Sequence, residues 1–227
     1  MTPRYEKHPA YTALAARYAN DIVAFAREVL QLEVSPKMAM LLRSATKPGA
    51  RMTVTSDLDT LGHCPVTPFA PVGVWRLFFK PDSYTAVACP RHLINVADGY
   101  RLLVMRALES QEWVAPYVRI GTDYVLLGRP GEGACIQFAP ARANPPERID
   151  TAWSQDTGWI IEDAHLAHAV CFSAAGATFK DSTGPWLISA QTGWSIDRGD
   201  VPGATWHNWD EFAVDGPALK QTAPLGE

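Results

Sequence analysis

Two adjacent carboxylates, Glu162 and Asp163, close the apolar run Trp159-Ile160-Ile161, and His165 and His168 follow within one or two turns of chain. Acids at the end of a buried strand are placed to hold a divalent cation or to orient a water. Their bland alternative is a solvated acidic turn. A second set, Gly62-His63-Cys64, follows another short run and brings an imidazole and a thiol. If the two segments ended neighbouring strands, His63, Cys64, Asp163, His165 and His168 could form a metal-dependent hydrolase. No H-E-x-x-H or C-x-x-C spacing supports that. His165 and His168 read more readily as surface or capping residues, so no metal site is assigned.

The elements that must position these groups can be read from periodicity. A helix is expected over Ala19–Leu32, capped by Asn20 or Asp21, with Ile22, Phe25, Ala26, Val29 and Leu30 at helical spacing. A second follows Ser35-Pro36, a cap with proline at the first helical position, and ends near Lys47-Pro48-Gly49. Arg51–Ser56 and Tyr84–Cys89 read as strands, separated by a proline-broken segment that ends in the apolar stretch Val72–Phe79. A long amphipathic helix is expected over Leu93–Glu109. Further strands are expected at Tyr124–Leu127, Ala134–Phe138, Trp159–Ile161 and Ala169–Ser173, with a proline-rich loop over residues 140–156. Short apolar strands alternating with helices predict an α/β fold whose central, mostly parallel sheet carries helices on both faces. Val54, Val87, Ile160 and Phe172 should then lie on interior strands. Ligands of such sheets bind beyond the strands' C-terminal ends, here Thr55-Ser56-Asp57, Glu162-Asp163 and the stretch from Ser173 to Thr178.

Composition bounds what that sheet can do. The chain has 227 residues, 47% of them hydrophobic, enough for one sizeable core. Its formal net charge of −4 excludes a broadly basic, duplex-wrapping surface. DNA contact would need a local patch, and the candidate is Arg91, His92, Arg101 and Arg106, against the blander reading of a solvated helix face. Cys64, Cys89, Cys135 and Cys171 are widely spaced and read as reduced, mostly buried thiols. Residues 1–11 are polar and offer no secretory h-region, and no apolar run reaches the length of a membrane span. The expectation is a soluble, intracellular protein.

The order of the pieces resembles the ATPase core of viral large terminase subunits. Asp21, Val23, Phe25 and Leu30 are similar to that family's D-x-V-x-F-x-x-x-x-L first helix. Arg51–Ser56 and the loop Asp57 to Cys64 fall where the family has a strand and a Walker A loop. Ala86-Val87-Ala88-Cys89-Pro90 and the helix after it match a strand ending in proline, and Trp159 to Asp163 resembles a Walker B strand. Phe172-Ser173-Ala174-Ala175-Gly176-Ala177-Thr178 is similar to the family's coupling turn, which gives Gly176 and Thr178 that role by resemblance. Tyr18 and Arg43 fall where the family contacts the base. The likeness covers residues 18–195 and rests on order and spacing.

The resemblance implies a P-loop NTPase-like core over 51–195, preceded by a helical segment at 1–50 of the same domain and followed by an extension at 196–227. The family's nuclease half would have no residues here to carry it. The chemistry departs from the family's at the phosphate loop. A working loop, G-x-x-x-x-G-K-[ST], uses glycines for close backbone approach, lysine for phosphate charge and a hydroxyl for magnesium. Asp57 replaces the first glycine, Gly62 keeps the second, His63 replaces lysine and Cys64 replaces the hydroxyl. A thiol is a poor magnesium ligand. Pro65 removes an N–H donor at the expected helix start. Glu162 and Asp163 retain the two Walker B acids in exchanged order.

The resemblance therefore points to a degenerate, non-hydrolysing packaging-motor subunit or accessory. It would bind no cofactor and work in the host cytoplasm. Its partners would be motor proteins such as a large terminase and a portal, with DNA contact and self-association as further options and no membrane. The alternatives are an atypical NTPase that uses Mg-ATP, with Lys80 or Lys180 as the missing cation, the metal-dependent hydrolase above, and a virion structural protein that keeps the fold for packing alone.

Overall fold

The computed structural model describes residues 4–56, 66–89, 93–129, 133–140, 156–162, 183–191, 205–208 and 218–219. The chain begins with α1 (Pro9–Tyr18) and α2 (Ile22–Glu28). The Asp21 carboxylate caps α2 by accepting from the amides of Val23 and Ala24, both at 3.1 Å. The expected helix over Ala19–Leu32 is thus shorter. Leu30 N–H donates back to Phe25 C=O at 3.1 Å, and Gln31 has a φ of 55°, which turns the chain out of the helix. Leu32–Glu33 is a short strand, β1, and α3 (Pro36–Ala45) follows, capped by Ser35 Oγ accepting from Met38 N–H at 3.1 Å.

Then come β2 (Arg51–Ser56), α4 (Ala70–Phe79), β3 (Tyr84–Cys89) and α5 (Leu93–Ser110). The apolar stretch before β3 is a helix, and all ten residues of α4 are buried. A helix apolar on every side but for Arg76 has no polar face to show in the sequence, and an interior position suits it. Next are β4 (Val118–Ile120), β5 (Tyr124–Leu127), β6 (Ala134–Pro140), β7 (Thr157–Ile161) and β8 (Trp186–Gln191). Last come β9 (Thr205–Asn208) and β10 (Ala218–Leu219), the latter pairing antiparallel with β1.

Eight strands form one sheet in the order β4-β5-β6-β3-β7-β8-β2-β9. From β6 to β9 every neighbouring pair is parallel, and β4 and β5 add an antiparallel edge. The α/β fold with a mostly parallel sheet is as expected. β2 and β7 lie in the same sheet, with β8 between them. Val54, Val87 and Ile160 are on interior strands and at most 1% exposed. Phe172 and the strand expected at 169–173 fall outside the described residues.

Every residue of β3 and β7 is buried, so both faces of the sheet centre are covered. Register sets the faces. Val87 stands opposite Ile160 and Phe138, Ile160 opposite Leu187, and all join one core cluster with α4 and α5. Gly73 of α4 is needed for that contact. A Cβ there would lie 2.6 Å from the ring of Tyr100 on α5, which is itself 0% exposed.

Candidate functional site

Parallel pairing puts the ends of six strands along one edge: Pro140, Cys89, Ile161, Gln191, Ser56 and Asn208. Within it Ser56 pairs with Gln191, and Ile161 pairs with both Ala88 and Ile188. The ladder runs one residue further, because Glu162 N–H donates to Ala88 C=O at 2.8 Å.

Glu162 therefore projects on the same face as Ile160, over the core side of the sheet, and is 1% exposed. Its Oε2 accepts a hydrogen bond from Ser189 Oγ on β8, a residue also 1% exposed. This is not the solvated acidic turn of the blander expectation. It is a buried acid whose oxygen is oriented by a neighbouring strand. Tyr100 lies close by, and its pKa is raised well above the ordinary phenol value, first by burial and then by the charge of Glu162. A buried, polar cluster of Glu162, Ser189, Tyr100 and Thr67 thus lies beneath the strand ends.

Sequence reasoning found Glu162 and missed the other three. Ser189 had a weak signal, as the polar residue inside Trp186-Leu187-Ile188-Ser189. Asp163, Asp57, Gly62, His63, Cys64, Gly176 and Thr178 lie outside the described residues, as do His165, His168 and Lys180. Among the described residues, no three His, Cys, Asp or Glu side chains come together as a metal centre. None of the described helices is long and apolar enough to cross a membrane.

The expectations for the helix after the loop and for Lys80 are revised by the structure. The described helix after β2, α4, starts at Ala70, and Pro65 lies outside the described residues. Its Ala70 N–H donates to Thr67 C=O at 3.2 Å, and Thr67, Phe69 and Ala70 are buried. Pro71 removes one first-turn donor, which weakens this helix end as an anion site. Lys80 cannot replace the missing cation. It is the C-terminal cap of α4, just before β3 begins at Tyr84, and the six residues of β3 put it roughly 20 Å from the far edge.

The described part of the basic stretch makes contacts within the chain. Arg101 donates to Asp98 at 2.7 Å, to the Gly121 carbonyl at 3.1 Å and to that of Thr122, and lies over the Phe138 ring. Arg106 donates to Gln31 C=O at 3.2 Å. Both guanidinium groups tie α5 to its surroundings, and Arg91 and His92 are outside the described residues. Tyr18, expected near a base, is buried and donates its hydroxyl to Glu28 at 2.8 Å.

No protein-family profile and no curated protein matches the sequence. Solved structures do match in fold. The large terminase ATPase domain of Thermus phage P74-26 aligns with a TM-score of 0.55 at 14% identity, covering 82% of this chain and 86% of that one. The HK97 bacteriophage large terminase aligns at 0.55 and 13% identity, covering 77% of this chain and 38% of that one. The large terminase of a thermophilic bacteriophage aligns at 0.54 and 10% identity, covering 81% and 48%. The chain thus spans most of an isolated ATPase domain and less than half of these two longer terminase chains. These alignments show that this chain has the fold of a phage large terminase ATPase domain.

Proposed function

We propose that this is a terminase-like viral DNA-packaging protein whose ATPase fold is used without hydrolysis, as a motor subunit or accessory. The single observation that carries the packaging part is the fold likeness to terminase ATPase domains over about four fifths of the chain. The non-hydrolysing part rests on the loop chemistry: Asp57, His63 and Cys64 stand where glycine, lysine and a hydroxyl residue would be. Lys80, the described alternative cation, lies at the opposite edge of the sheet. Partners of this reading are a large terminase, a portal and DNA, in the host cytoplasm. The retained, buried Glu162 favours one second reading, an atypical NTPase that binds Mg-ATP.

Calorimetric titration with Mg-ATP separates the two. Losing the lysine removes a charge-assisted contact of roughly 1.5–3 kcal/mol, and Asp57 adds repulsion. Only very weak binding is expected, and micromolar affinity would overturn the non-hydrolysing reading. Repair is the converse test. Asp57→Gly with His63→Lys and Cys64→Ser should gain phosphate affinity, seen as a thermal shift at millimolar nucleotide. A folded triple variant with no shift would mean that the loop never stood over a phosphate site.

A further inference from the structure

We propose that the opposite, N-terminal edge of the sheet carries a second anion site, shaped for a single phosphate group. This inference does not depend on the packaging reading. A cavity of about 160 Å³ opens there, lined by Thr46, Lys47, Trp75, Arg76, Lys80 and Asp156 among others. Lys47 follows the end of α3, and Lys80 caps α4. Arg76 forms the wall, 3% exposed, and its guanidinium is fixed by Thr85 Oγ1 at 3.0 Å and by Asp156 at 3.0 and 3.1 Å.

Charge decides the sign of the ligand. Among the described residues, three cations face one acid, Asp156, in the cavity wall. Two helix carboxyl ends also point here, each worth roughly half a negative charge. The balance is about one positive charge, in a chain whose formal net charge is −4. Among the described residues, no ion pair uses Lys47 or Lys80. The Lys80 ammonium instead sits 5.5 Å from the Trp75 ring centroid.

Size and donor type narrow the ligand further. Sites for whole cofactors or drug-sized molecules take about 300 Å³ or more. At roughly 30 Å³ per water, this cavity holds about five. That suits a tetrahedral anion, not a nucleotide. A carboxylate is best held by a free guanidinium fork, and the Arg76 fork is already occupied. Two ammonium groups from different elements suit a compact phosphate, which lysine binds as a point charge.

The probe is inorganic phosphate, titrated into the whole chain and followed by amide NMR against sodium chloride at matched ionic strength. Saturable shifts are expected near Lys47, Trp75 and Lys80, with a Kd on the order of 1 mM. Lys47→Ala combined with Lys80→Ala should weaken binding at least ten-fold, while Lys80→Arg keeps it. Should loss of Lys80 disturb packing on Trp75, the exposed Lys47→Ala alone carries the test and should still weaken binding several-fold. An equal response to chloride, or unchanged affinity in the folded variants, would overturn the site. Glycerol 3-phosphate identifies the source: equal binding points to a phosphate monoester end, and binding of orthophosphate alone to the free ion.

Discussion

The two edges of the sheet solve opposite problems. At the N-terminal edge a charge is buried and answered on the spot: Arg76 meets Thr85 and Asp156, and the strands approach so closely that glycine is required. A Cβ on Gly184 would lie 2.0 Å from Thr157 O, and one on Gly158 would lie 3.0 Å from Arg76 Nε. At the C-terminal edge the strands stop at Ser56, Cys89 and Gln191, and the buried polar group there, Glu162, is an acid bound to a neighbouring hydroxyl. One edge is organised for cohesion. The other is where the parallel strands end, and chemistry or its remnants would be found beyond it.

That contrast can be broken by mutation, and the largest effect is expected at the N-terminal edge. Arg76→Ala strands Asp156 and Thr85 and leaves a void, and breaking a buried pair in this way destabilises by about 3–5 kcal/mol. Asp156 is about a third exposed on its side chain, so the lower end is expected. Urea unfolding measures it, and a loss under 1 kcal/mol would mean the network contributes little to stability. Gly73→Ala comes next. The new methyl must displace the Tyr100 ring, an overpacking of about 1–3 kcal/mol. Alanine's better helix propensity returns up to about 1 kcal/mol of that.

Smaller effects sharpen the comparison. Glu162→Gln keeps an oxygen that can accept from Ser189, so its effect on stability should stay within about 1 kcal/mol, far below that of Arg76→Ala. A larger loss in thermal melts would show that the C-terminal edge also serves cohesion. The smallest effect concerns alkali. Burial pushes the Cys135 thiol from 9.0 up to about 12, with Asp123 adding to the rise. The unfolded chain therefore sheds this proton first. Its contribution to stability is whole below pH 9.0 and declines as pH rises toward about 12. Cys135→Ala should flatten the fall of Tm across that window, and an unchanged slope would assign the fall to other groups.

How much of this was legible follows from where each signal resides. Asp21 and Ser35-Pro36 are local caps, and both stand at helix starts as the sequence indicates. α4 was not legible because a fully buried helix has no polar stripe, and a short run apolar but for one arginine fits a strand equally well. The lone Arg76 within it was the overlooked sign, since a charge in such a run needs a built partner. Trp186–Gln191 was missed for a related reason: an interior strand with Ser189 inside it does not alternate. At the site, Glu162 could be found from its place after an apolar run. Ser189 could not, because it is 27 residues away and only register brings the two together.

The place of β8 also fixes an order of assembly. Among the described residues β2 pairs with β8 and β9 and with no other strand. Ser56 therefore waits until Gln191 has been made, and a gap of about 130 residues separates the end of β2 from the start of β8. At roughly 5–20 residues per second on the ribosome, the strand stays without a ladder for on the order of ten seconds. During that time Met52 and Val54 belong to an open edge of the kind that pairs with other chains. A polypeptide with this topology is then most exposed to misassociation during its own synthesis, and chaperone demand should fall sharply once translation passes the end of β9.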